Sequence, residues 1–273
     1  MQVLAAFGLA GADPVPMAGG VGTAWRAGQV VLKLADSDRV GRWFAEVYET
    51  LAGPGFRVPR PVRAVTGDWV AHGWAAYEWV PGTAADWSGI SPRWPETVAV
   101  SRALHAALAR IPVPSWRGSE ENPWTIADEV AWDERAPQPL LGAGAVPLTG
   151  QVRRLLAVLR PIDLPAQLIH ADLRGNVLFA DGLPPAVIDF SPLERPAGLP
   201  LAILAVDTLT WNQACPGILA YLADEPELDQ LLARAQVYRL AETIIRFAGT
   251  DFIHEVARAA QPVTDLILAR LAA

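Results

Sequence analysis

The pattern of secondary structure changes once along this chain, and that change limits its possible folds more than any other feature. The first 80 residues contain short β-branched and aromatic runs around one amphipathic helix, whereas the pattern from residue 95 onward is mostly helical. Pro81-Gly82 interrupts the chain near this change. We therefore predict an α+β protein with a β-rich lobe at residues 1–80, a mostly helical lobe at residues 81–273, and a cleft between them.

The individual elements follow from local periodicity and from residues that begin or end a helix. Residues 28–34 predict a strand, and Ser37 predicts the cap of a helix that ends before Gly53-Pro54. Further strands are predicted at residues 62–65, 69–74 and 75–80, and an irregular loop at residues 112–140. Helices are predicted at residues 95–111, 151–159, 199–211, 217–222, 228–249 and 252–271.

Charge and composition exclude several classes of function. The net charge of −7 disfavours a nucleic-acid partner, because phosphate neutralisation requires clustered Lys and Arg, and it is compatible with a cationic substrate. Cys215 is the only cysteine, which excludes an internal disulfide and a zinc site built on several cysteines. No apolar run approaches the roughly 20 residues of a membrane span, and no basic residue precedes Arg26. We therefore expect a cytoplasmic protein without a membrane partner.

Residues 168–190, LIHADLRGNVLFADGLPPAVIDF, combine polar side chains with two short apolar runs. Asp181-Gly182 predicts a turn between strands that follow Asn176 and precede Asp189, so the hairpin would bring these two residues together. Asn176 and Asp189 supply the hard oxygen ligands that Mg²⁺ prefers, beside ATP phosphates and water. Asp172 would accept the proton of a substrate hydroxyl during phosphoryl transfer. Ordinary turn residues are the alternative interpretation, but the complete set favours phosphoryl transfer.

The run from His170 to Leu173 with Asn176, followed by Ile188-Asp189-Phe190, resembles the catalytic and metal motifs of the aminoglycoside phosphotransferase and choline kinase group. The resemblance implies a protein-kinase-like fold and transfer of the γ-phosphoryl group of ATP to an alcohol group of a small molecule. It also implies that Asp172 is catalytic, that Asn176 and Asp189 hold the metal, and that His170 holds the loop.

The catalytic loop departs from the family pattern. Three residues separate Asp172 from Asn176, where the family usually has four, and Gly175 would absorb the shortening through unusual backbone angles. This departure, together with Ser191 after Asp189-Phe190, supports the alternative of a nucleotide-binding pseudokinase with a regulatory or scaffold role. A protein kinase is disfavoured, because residues 191–200 leave little room for a peptide-binding activation segment.

The first lobe contains the residues that the resemblance implies for phosphate binding. Gly20, Gly22 and Thr23 precede the first long strand, and backbone N–H groups there would cradle phosphate oxygens. A simple hairpin turn explains these glycines equally well. Lys33 lies within that strand and is the only lysine in the chain. Its position resembles the ATP-binding lysine of the family more than a solvent-facing side chain.

Two further nucleotide contacts are expected. Glu46, in the helix after the lysine strand, is the expected partner of Lys33; a pair of Glu46 with Arg42, or of Lys33 with Glu49, is the alternative. Residues 77–82 resemble the hinge between the lobes, where the main chain from Glu78 to Val80 would meet adenine.

The sequence says less about the small molecule that accepts the phosphoryl group than about the nucleotide. In the resembling antibiotic kinases, acidic residues of the second lobe bind a cationic acceptor, and a solvated acidic surface is the alternative. Asp207 resembles a residue that braces the catalytic loop, with a solvated helix position as its alternative, and His105 is expected to be structural. The acidic candidates for binding an acceptor are Glu120, Glu121, Asp128, Glu129, Asp133, Glu134, Asp224, Glu225, Glu227 and Asp229.

Overall fold

The computed structural model describes residues 2–17, 22–88, 91, 93–116, 121–212 and 214–273. It divides the chain into two compact units. Unit 1 consists of Met1–Ala84 and Gly175–Phe190, and unit 2 of Ala85–Arg174 and Ser191–Ala273. The predicted lobes, residues 1–80 and 81–273, place residues 175–190 in the second lobe instead. This division into lobes remains a proposal.

The described elements confirm the α+β fold class. The strands are β1 (Val15–Pro16), β2 (Ala24–Ala27), β3 (Val30–Leu34), β4 (Pro61–Val62), β5 (Val70–Ala71), β6 (Trp74–Glu78), β7 (Thr83–Ala84), β8 (Gln167–His170), β9 (Val177–Ala180), β10 (Leu183–Val187) and β11 (Pro192–Arg195). The helices are α1 (Gln2–Ala6), α2 (Asp38–Thr50), α3 (Trp94–Leu108), α4 (Pro123–Ala131), α5 (Val146–Leu156), α6 (Leu199–Trp211), α7 (Leu228–Phe247) and α8 (Phe252–Ala272). Short 3₁₀ turns cover Gln138–Leu140, Ala143–Ala145 and Pro216–Leu222.

Unit 1 is built on an antiparallel sheet with the strand order β1-β2-β3-β6-β4, and β5 also pairs with β6. Phe7, Leu32 and Ala76 belong to its buried core, against which the apolar side chains of α1 pack. Helix α2 contacts β4, β5 and β6. Its predicted cap is confirmed, because the Ser37 hydroxyl accepts a hydrogen bond from the N–H of Val40 at 3.3 Å.

A second sheet, β10-β9-β7, joins a late segment of the chain to unit 1. Strands β9 and β10 form the predicted hairpin. Arg57 binds it to the earlier part of the unit: its N–H donates to Pro185 O and its carbonyl accepts from the N–H of Val187, both at 2.9 Å. Gly82 allows β7 to approach β9, since a Cβ at this position would lie 2.9 Å from the Cβ of Leu178.

Unit 2 is mostly helical, with α7 at its centre. Helix α7 contacts α4, α5, α6 and α8. The antiparallel pair β8–β11 completes the unit and carries His170 at its end. Within the described ranges, no helix combines the length and the apolar character needed to span a membrane.

Several predicted elements differ from the structure: the strand predicted at residues 62–65 is limited to β4, Pro61–Val62, and the helix predicted at residues 217–222 is a 3₁₀ turn. Residues 69–74 do not form one strand, because His72 (φ 53°) and Gly73 (φ 77°) make a turn between β5 and β6. Two consecutive positive φ angles are typical of a two-residue hairpin connection. The loop predicted at residues 112–140 contains α4, whose N-terminus is capped by the Asn122 side chain, with Pro123 in the first turn.

Candidate functional site

Lys33 and Asp189 form an ion pair within unit 1. Strand β3 holds Lys33 between Ala24 of β2 and Ala75 of β6, and Asp189 follows β10 at the end of the hairpin. Lys33 Nζ donates a hydrogen bond to Asp189 Oδ1, and the two side chains are 34% and 44% exposed. The fold thus brings together two of the residues that the sequence predicts for nucleotide and metal binding, although 156 positions separate them.

The backbone at Asp189 is held by its neighbour on the chain. Asp189 has φ 55°, a left-handed conformation that is uncommon for a non-glycine residue and often marks a functional site. Phe190 is buried and packs against the rings of Trp43, Phe44 and Tyr48 on α2, with centroids 5.6–6.1 Å apart. Its N–H donates to the Tyr48 hydroxyl at 3.1 Å, and burial raises the pKa of this tyrosine well above its ordinary value.

Asn176 lies at the other end of the same hairpin. Its carbonyl accepts a hydrogen bond from the N–H of Ile188 at 3.0 Å, which sets Asn176 beside the residue that precedes Asp189. Gly175 has φ 82°, the left-handed angle expected of the residue that absorbs the shortened loop. In the part of the chain that the structure describes, no three His, Cys, Asp or Glu side chains are grouped to hold a metal ion.

The phosphate-loop residues are only partly covered by the structure. Gly20 lies outside the described residues. Gly22 has φ 73° and is exposed, and no neighbouring atom would lie within 4 Å of a Cβ placed there. The carbonyl of Thr23 accepts from the N–H of Leu34 at 3.4 Å, which ties the start of β2 to the residue after Lys33.

The helix glutamate is not brought to the lysine. Glu46 is exposed on α2, and across the described ranges it forms no ion pair with Lys33, which is paired with Asp189. The alternative pair of Glu46 with Arg42 is also absent there, because Arg42 binds Asp68 through two nitrogens at 2.8–3.1 Å. Asp68 has its pKa lowered to about 2, mainly by this hydrogen bond.

Two of the three backbone N–H groups of the predicted hinge, Glu78 to Val80, donate hydrogen bonds within unit 1. The N–H of Glu78 donates to Arg60 O at 2.7 Å, and the N–H of Trp79 donates to Gln29 O at 2.8 Å. The N–H of Val80 has no hydrogen-bond partner among the residues that the structure describes. Glu78 itself is exposed at the end of β6.

In unit 2, two histidines hold the loop that carries Asp172. His170 Nδ1 accepts from the N–H groups of Asp172 and Ser191 at 3.3 and 3.4 Å, as predicted for a loop-holding residue. The N–H of His170 donates to His105 Nε2 at 3.1 Å, so His105 Nδ1 donates to Ser101 O at 2.7 Å. Burial lowers the pKa of His105 to about 3, which fixes it as a neutral structural residue.

Arg239, on α7, binds the carboxylate of Asp172. Its Nη2 is 3.1 Å from Asp172 Oδ1 and 2.6 Å from Asp207 Oδ2, and its Nε is 2.9 Å from Asp207 Oδ1. Asp207 is buried, so the alternative of a solvated helix position is wrong. Although burial opposes it, the two carboxylates raise the pKa of Arg239 well above its ordinary value.

Sequence reasoning missed Arg239 and Tyr48. Arg239 lies between Tyr238 and Leu240 in an otherwise buried stretch of α7, and a charge in such a position requires a carboxylate partner. That signal identifies Arg239 as paired, but its distance of 67 residues from Asp172 hides which carboxylate it reaches. Tyr48 gave no signal, because a buried aromatic residue on α2 needs no explanation beyond packing.

Comparison with known proteins agrees with these observations. The sequence model of the APH phosphotransferase enzyme family matches residues 21–193, which is more than half of the chain. Among curated proteins, a sequence search found no match.

Solved structures with the same fold include several antibiotic kinases. A spectinomycin phosphotransferase, APH(9)-Ia, solved with ADP and spectinomycin, has a TM-score of 0.59 at 14% identity over 95% of this chain and 93% of its own. An aminoglycoside phosphotransferase from Alicyclobacillus acidocaldarius has a TM-score of 0.56 at 16% identity over 97% and 94%. The amicoumacin kinase hAmiN, solved with AMP-PNP, Ca²⁺ and its antibiotic, has a TM-score of 0.60 at 16% identity over 94% and 88%.

At these identities the solved structures establish the fold, and the family match establishes the enzyme class. Both agree with the resemblance seen in the run from His170 to Phe190, and the fold is the protein-kinase-like one that it implied. The chain is a member of the phosphotransferase enzyme family, with an alcohol group as the acceptor class.

Proposed function

We propose that this chain is an ATP-dependent kinase that transfers the γ-phosphoryl group to a hydroxyl of a small molecule. The observation that carries the proposal is the ion pair of Lys33 with Asp189, beside a hairpin that sets Asn176 next to Ile188. Nucleotides in the solved structures of similar fold, ADP in one and AMP-PNP in another, support the choice of ATP.

Asp189 and Asn176 fit a metal that arrives with the nucleotide. A carboxylate and an amide oxygen are hard donors, and Mg²⁺ usually takes one or two protein ligands with the remainder from phosphates and water. The carboxylate of Asp189 already faces a cation, the ammonium group of Lys33. When bound, Mg²⁺ would neutralise phosphate charge. Lys33 would then hold the phosphates, and Gly22 and Thr23, together with Gly20, would line their loop.

The main chain of the hinge would recognise the base. The N–H of Val80 is suited to donate a hydrogen bond to a ring nitrogen of adenine, since the preceding N–H groups of Glu78 and Trp79 already donate to Arg60 O and Gln29 O. Glu46, exposed on α2, has no structural support here for its expected role beside Lys33.

Asp172 would act as the general base. The acceptor oxygen attacks the γ-phosphorus, the bond to the bridging oxygen of ADP breaks, and the hydroxyl proton passes to the Asp172 carboxylate. Arg239 donates to Oδ1 of this carboxylate, and His170 fixes the backbone N–H of the same residue. The loop between Asp172 and Asn176, one residue shorter than the family pattern, and Ser191 after Phe190 are the observations that favour the second candidate, a nucleotide-binding pseudokinase.

The test separates the two candidates by turnover. Mg-ATP binding is measured by calorimetry, and ADP release is measured with a panel of hydroxyl compounds for the wild type, Asp172→Asn and Asp189→Asn. Asp172→Asn is expected to lower kcat by about 10²- to 10⁴-fold with ATP affinity retained, since this is the usual contribution of a general base. Asp189→Asn is expected to weaken Mg²⁺-dependent ATP binding.

Asp181→Asn is the matched control, because Asp181 is exposed in the turn of the same hairpin. It should leave binding and turnover unchanged. Full activity of Asp172→Asn would contradict the assigned role. ATP binding without any ADP release, either with an acceptor present or with water alone, would favour the pseudokinase.

A further inference from the structure

The loop that carries Asp172 also contains an arginine, Arg174, to which no role has been assigned. Leu173, between the two, is fully buried, whereas the Asp172 side chain is 39% exposed and Arg174 is exposed. The buried leucine anchors the loop in unit 2, and the side chains before and after it both reach solvent. The guanidinium of Arg174 therefore belongs to the same exposed side of the loop as the carboxylate of Asp172.

Arg174 is held at one nitrogen. Its Nε donates to Oδ1 of Asn212, the residue that ends α6, at 2.8 Å. Among the residues that the structure describes, neither Nη atom of Arg174 has a hydrogen-bond or ion-pair partner. Because the guanidinium group is planar, the bond at Nε limits its orientation and leaves the N–H groups of both Nη atoms available for a ligand.

Most other arginines of unit 2 are bound to carboxylates of the same unit. Those carboxylates include most of the acidic residues considered for binding a cationic acceptor; of the remainder, Glu120 lies outside the described residues and Asp133 forms no ion pair within them. Arg174 differs from these arginines in having no carboxylate partner in the part of the chain that the structure describes. The pairs are Glu121 and Glu129 with Arg135, Asp128 and Glu134 with Arg195, Asp224 and Glu225 with Arg102, Glu227 with Arg160, and Asp229 with Arg270.

The ion pairs around Asp172 leave an excess of negative charge. Arg239 binds both Asp172 and Asp207. It also lies 3.5 Å from Glu242, which binds Arg246 at 2.6 Å. This linked group contains three carboxylates and two guanidinium groups, so it repels an approaching phosphoryl group unless a further cation is present. The arginine of the loop supplies that cation.

The charge of Arg174 acts on the same group. Burial raises the pKa of the Asp207 carboxyl, and the charges of Arg239 and, more weakly, Arg174 oppose this rise. Asn212, which binds Arg174, comes directly after the last residue of the helix that carries Asp207. Arg174 is therefore an exposed cation within electrostatic range of the carboxylates that Arg239 binds.

Transfer to an acceptor at Asp172 brings the γ-phosphoryl group to this loop. The acceptor oxygen is hydrogen-bonded to the Asp172 carboxylate and lies roughly 3–3.5 Å from the γ-phosphorus when the reaction begins. The phosphoryl oxygens carry negative charge throughout the transfer. A guanidinium group two residues from Asp172 suits these oxygens, because its N–H groups bind two oxygens of a phosphate side by side.

We propose that Arg174 binds the γ-phosphoryl group of ATP, before and during its transfer, through the N–H groups of its Nη atoms. The inference rests on the proposed kinase function, since transfer at Asp172 is what brings this group to the loop. The bond from the acceptor oxygen to phosphorus forms, the bond to the bridging oxygen of ADP breaks, and the hydroxyl proton passes to Asp172. Arg174 stabilises the charge on the phosphoryl oxygens during this step.

The first test compares a nucleotide that carries a γ-phosphoryl group with one that lacks it. The Kd values of Mg-AMP-PNP and Mg-ADP are measured by calorimetry for the wild type, Arg174→Met and Arg174→Lys. We expect Arg174→Met to weaken Mg-AMP-PNP binding by about tenfold and to leave Mg-ADP binding within about twofold, because charge-assisted hydrogen bonds to the γ-phosphoryl oxygens are lost. Arg174→Lys keeps the charge and should recover part of the loss.

The second test separates phosphate binding from bracing of the loop. The alternative is that Arg174 only ties the loop to the end of α6 through Asn212. Asn212→Ala removes this contact and keeps the guanidinium group, so bracing alone predicts equal effects of Asn212→Ala and Arg174→Met. We expect Asn212→Ala to change Mg-AMP-PNP binding by less than about threefold. Arg153→Met is the matched control, since Arg153 is exposed on α5 and forms no ion pair within the described ranges, and it should bind both nucleotides as the wild type does.

Two results would overturn the inference and leave the kinase function intact. One is an Arg174→Met protein that binds Mg-AMP-PNP as the wild type does, or that loses affinity for both nucleotides equally. The other is an Asn212→Ala protein that loses as much affinity for Mg-AMP-PNP as Arg174→Met. A wild type that binds neither nucleotide would instead refute the proposed function, and this inference with it.

Discussion

Arg239 carries a charge in a half-buried position, and the side chains around it explain why this is tolerated. It binds two carboxylates, Asp207 on α6 and Asp172 in the catalytic loop. Burial by itself raises the pKa of Asp207, and the attraction of Arg239 opposes that rise. A buried ion pair of this kind contributes little net stability compared with an apolar contact, but removal of one partner leaves the other charge buried and alone. Arg239 therefore links the stability of the helices to the position of Asp172.

Arg239→Met should destabilise the protein by about 3–5 kcal/mol, because the buried Asp207 loses its partner. The double variant Arg239→Met/Asp207→Leu should recover much of that loss, since no buried charge remains, but it should not recover kcat. Urea unfolding and ADP release measure the two effects. A double variant with full activity would show that Arg239 does not position Asp172.

His105 makes stability depend on pH. The folded protein keeps it neutral with a pKa of about 3, whereas the unfolded chain protonates it near 6.5. Between these values the unfolded state binds more protons, so the free energy of unfolding falls as pH falls, with a slope of at most about 1.4 kcal/mol per pH unit. From pH 7 to pH 5 the wild type should lose about 2 kcal/mol more than His105→Gln. His254→Gln, at an exposed position of α8, should behave as the wild type, and equal slopes for wild type and His105→Gln would contradict the prediction.

Some elements defined by short-range signals were predicted, but α4 was missed although Asn122 and Pro123 mark its start, and a turn defined by backbone angles was missed as well. Ser37 begins α2 and Asp181-Gly182 turns the hairpin because the side chains that make the cap and the turn are local. The turn at His72-Gly73 requires a positive φ at His72, and no feature of the sequence predicts this backbone angle at a histidine. Within the site, the types of residue were predictable, whereas the ion pair of Lys33 with Asp189 instead of Glu46 depends on how a distant hairpin joins the sheet.

Helix α2 positions the end of that hairpin through one hydroxyl. Tyr48→Phe would leave the buried N–H of Phe190 without its acceptor, at a cost of about 1–3 kcal/mol. Because Phe190 follows Asp189, we also expect weaker Mg-ATP binding. Tyr77→Phe is the control, since it removes a hydroxyl from the neighbouring ring, 5.5 Å away in the same cluster. Unfolding and calorimetry would measure both effects, and equal values for the two variants would refute a specific role of the Tyr48 hydroxyl.

Unit 1 is discontinuous in sequence. Residues 175–190 belong to it although 90 residues of unit 2, Ala85–Arg174, intervene. The hairpin supplies the partner of β7, a contact for Arg57 and the buried side chains of Val177, Val187 and Phe190. It also supplies Asp189, without which Lys33 lacks its ion-pair partner. A sequence-based boundary follows chain order and therefore separates the hairpin from the sheet that it completes.

A fragment of residues 1–84 should therefore fold poorly, and addition of the hairpin should restore it. In β7–β9, Ala84 is opposite Leu178, so Gly175 lies roughly 10 Å away and a flexible linker of about six residues suffices. We expect the fusion 1–84–linker–175–190 to unfold cooperatively in urea, and residues 1–84 alone to show a shallow transition. A fusion with Val187→Asp and Phe190→Ser is the control, because it keeps the length and removes the buried contacts. If residues 1–84 alone unfold as cooperatively as the fusion, the hairpin is not part of the folding unit, and the boundary near residue 80 is the better division.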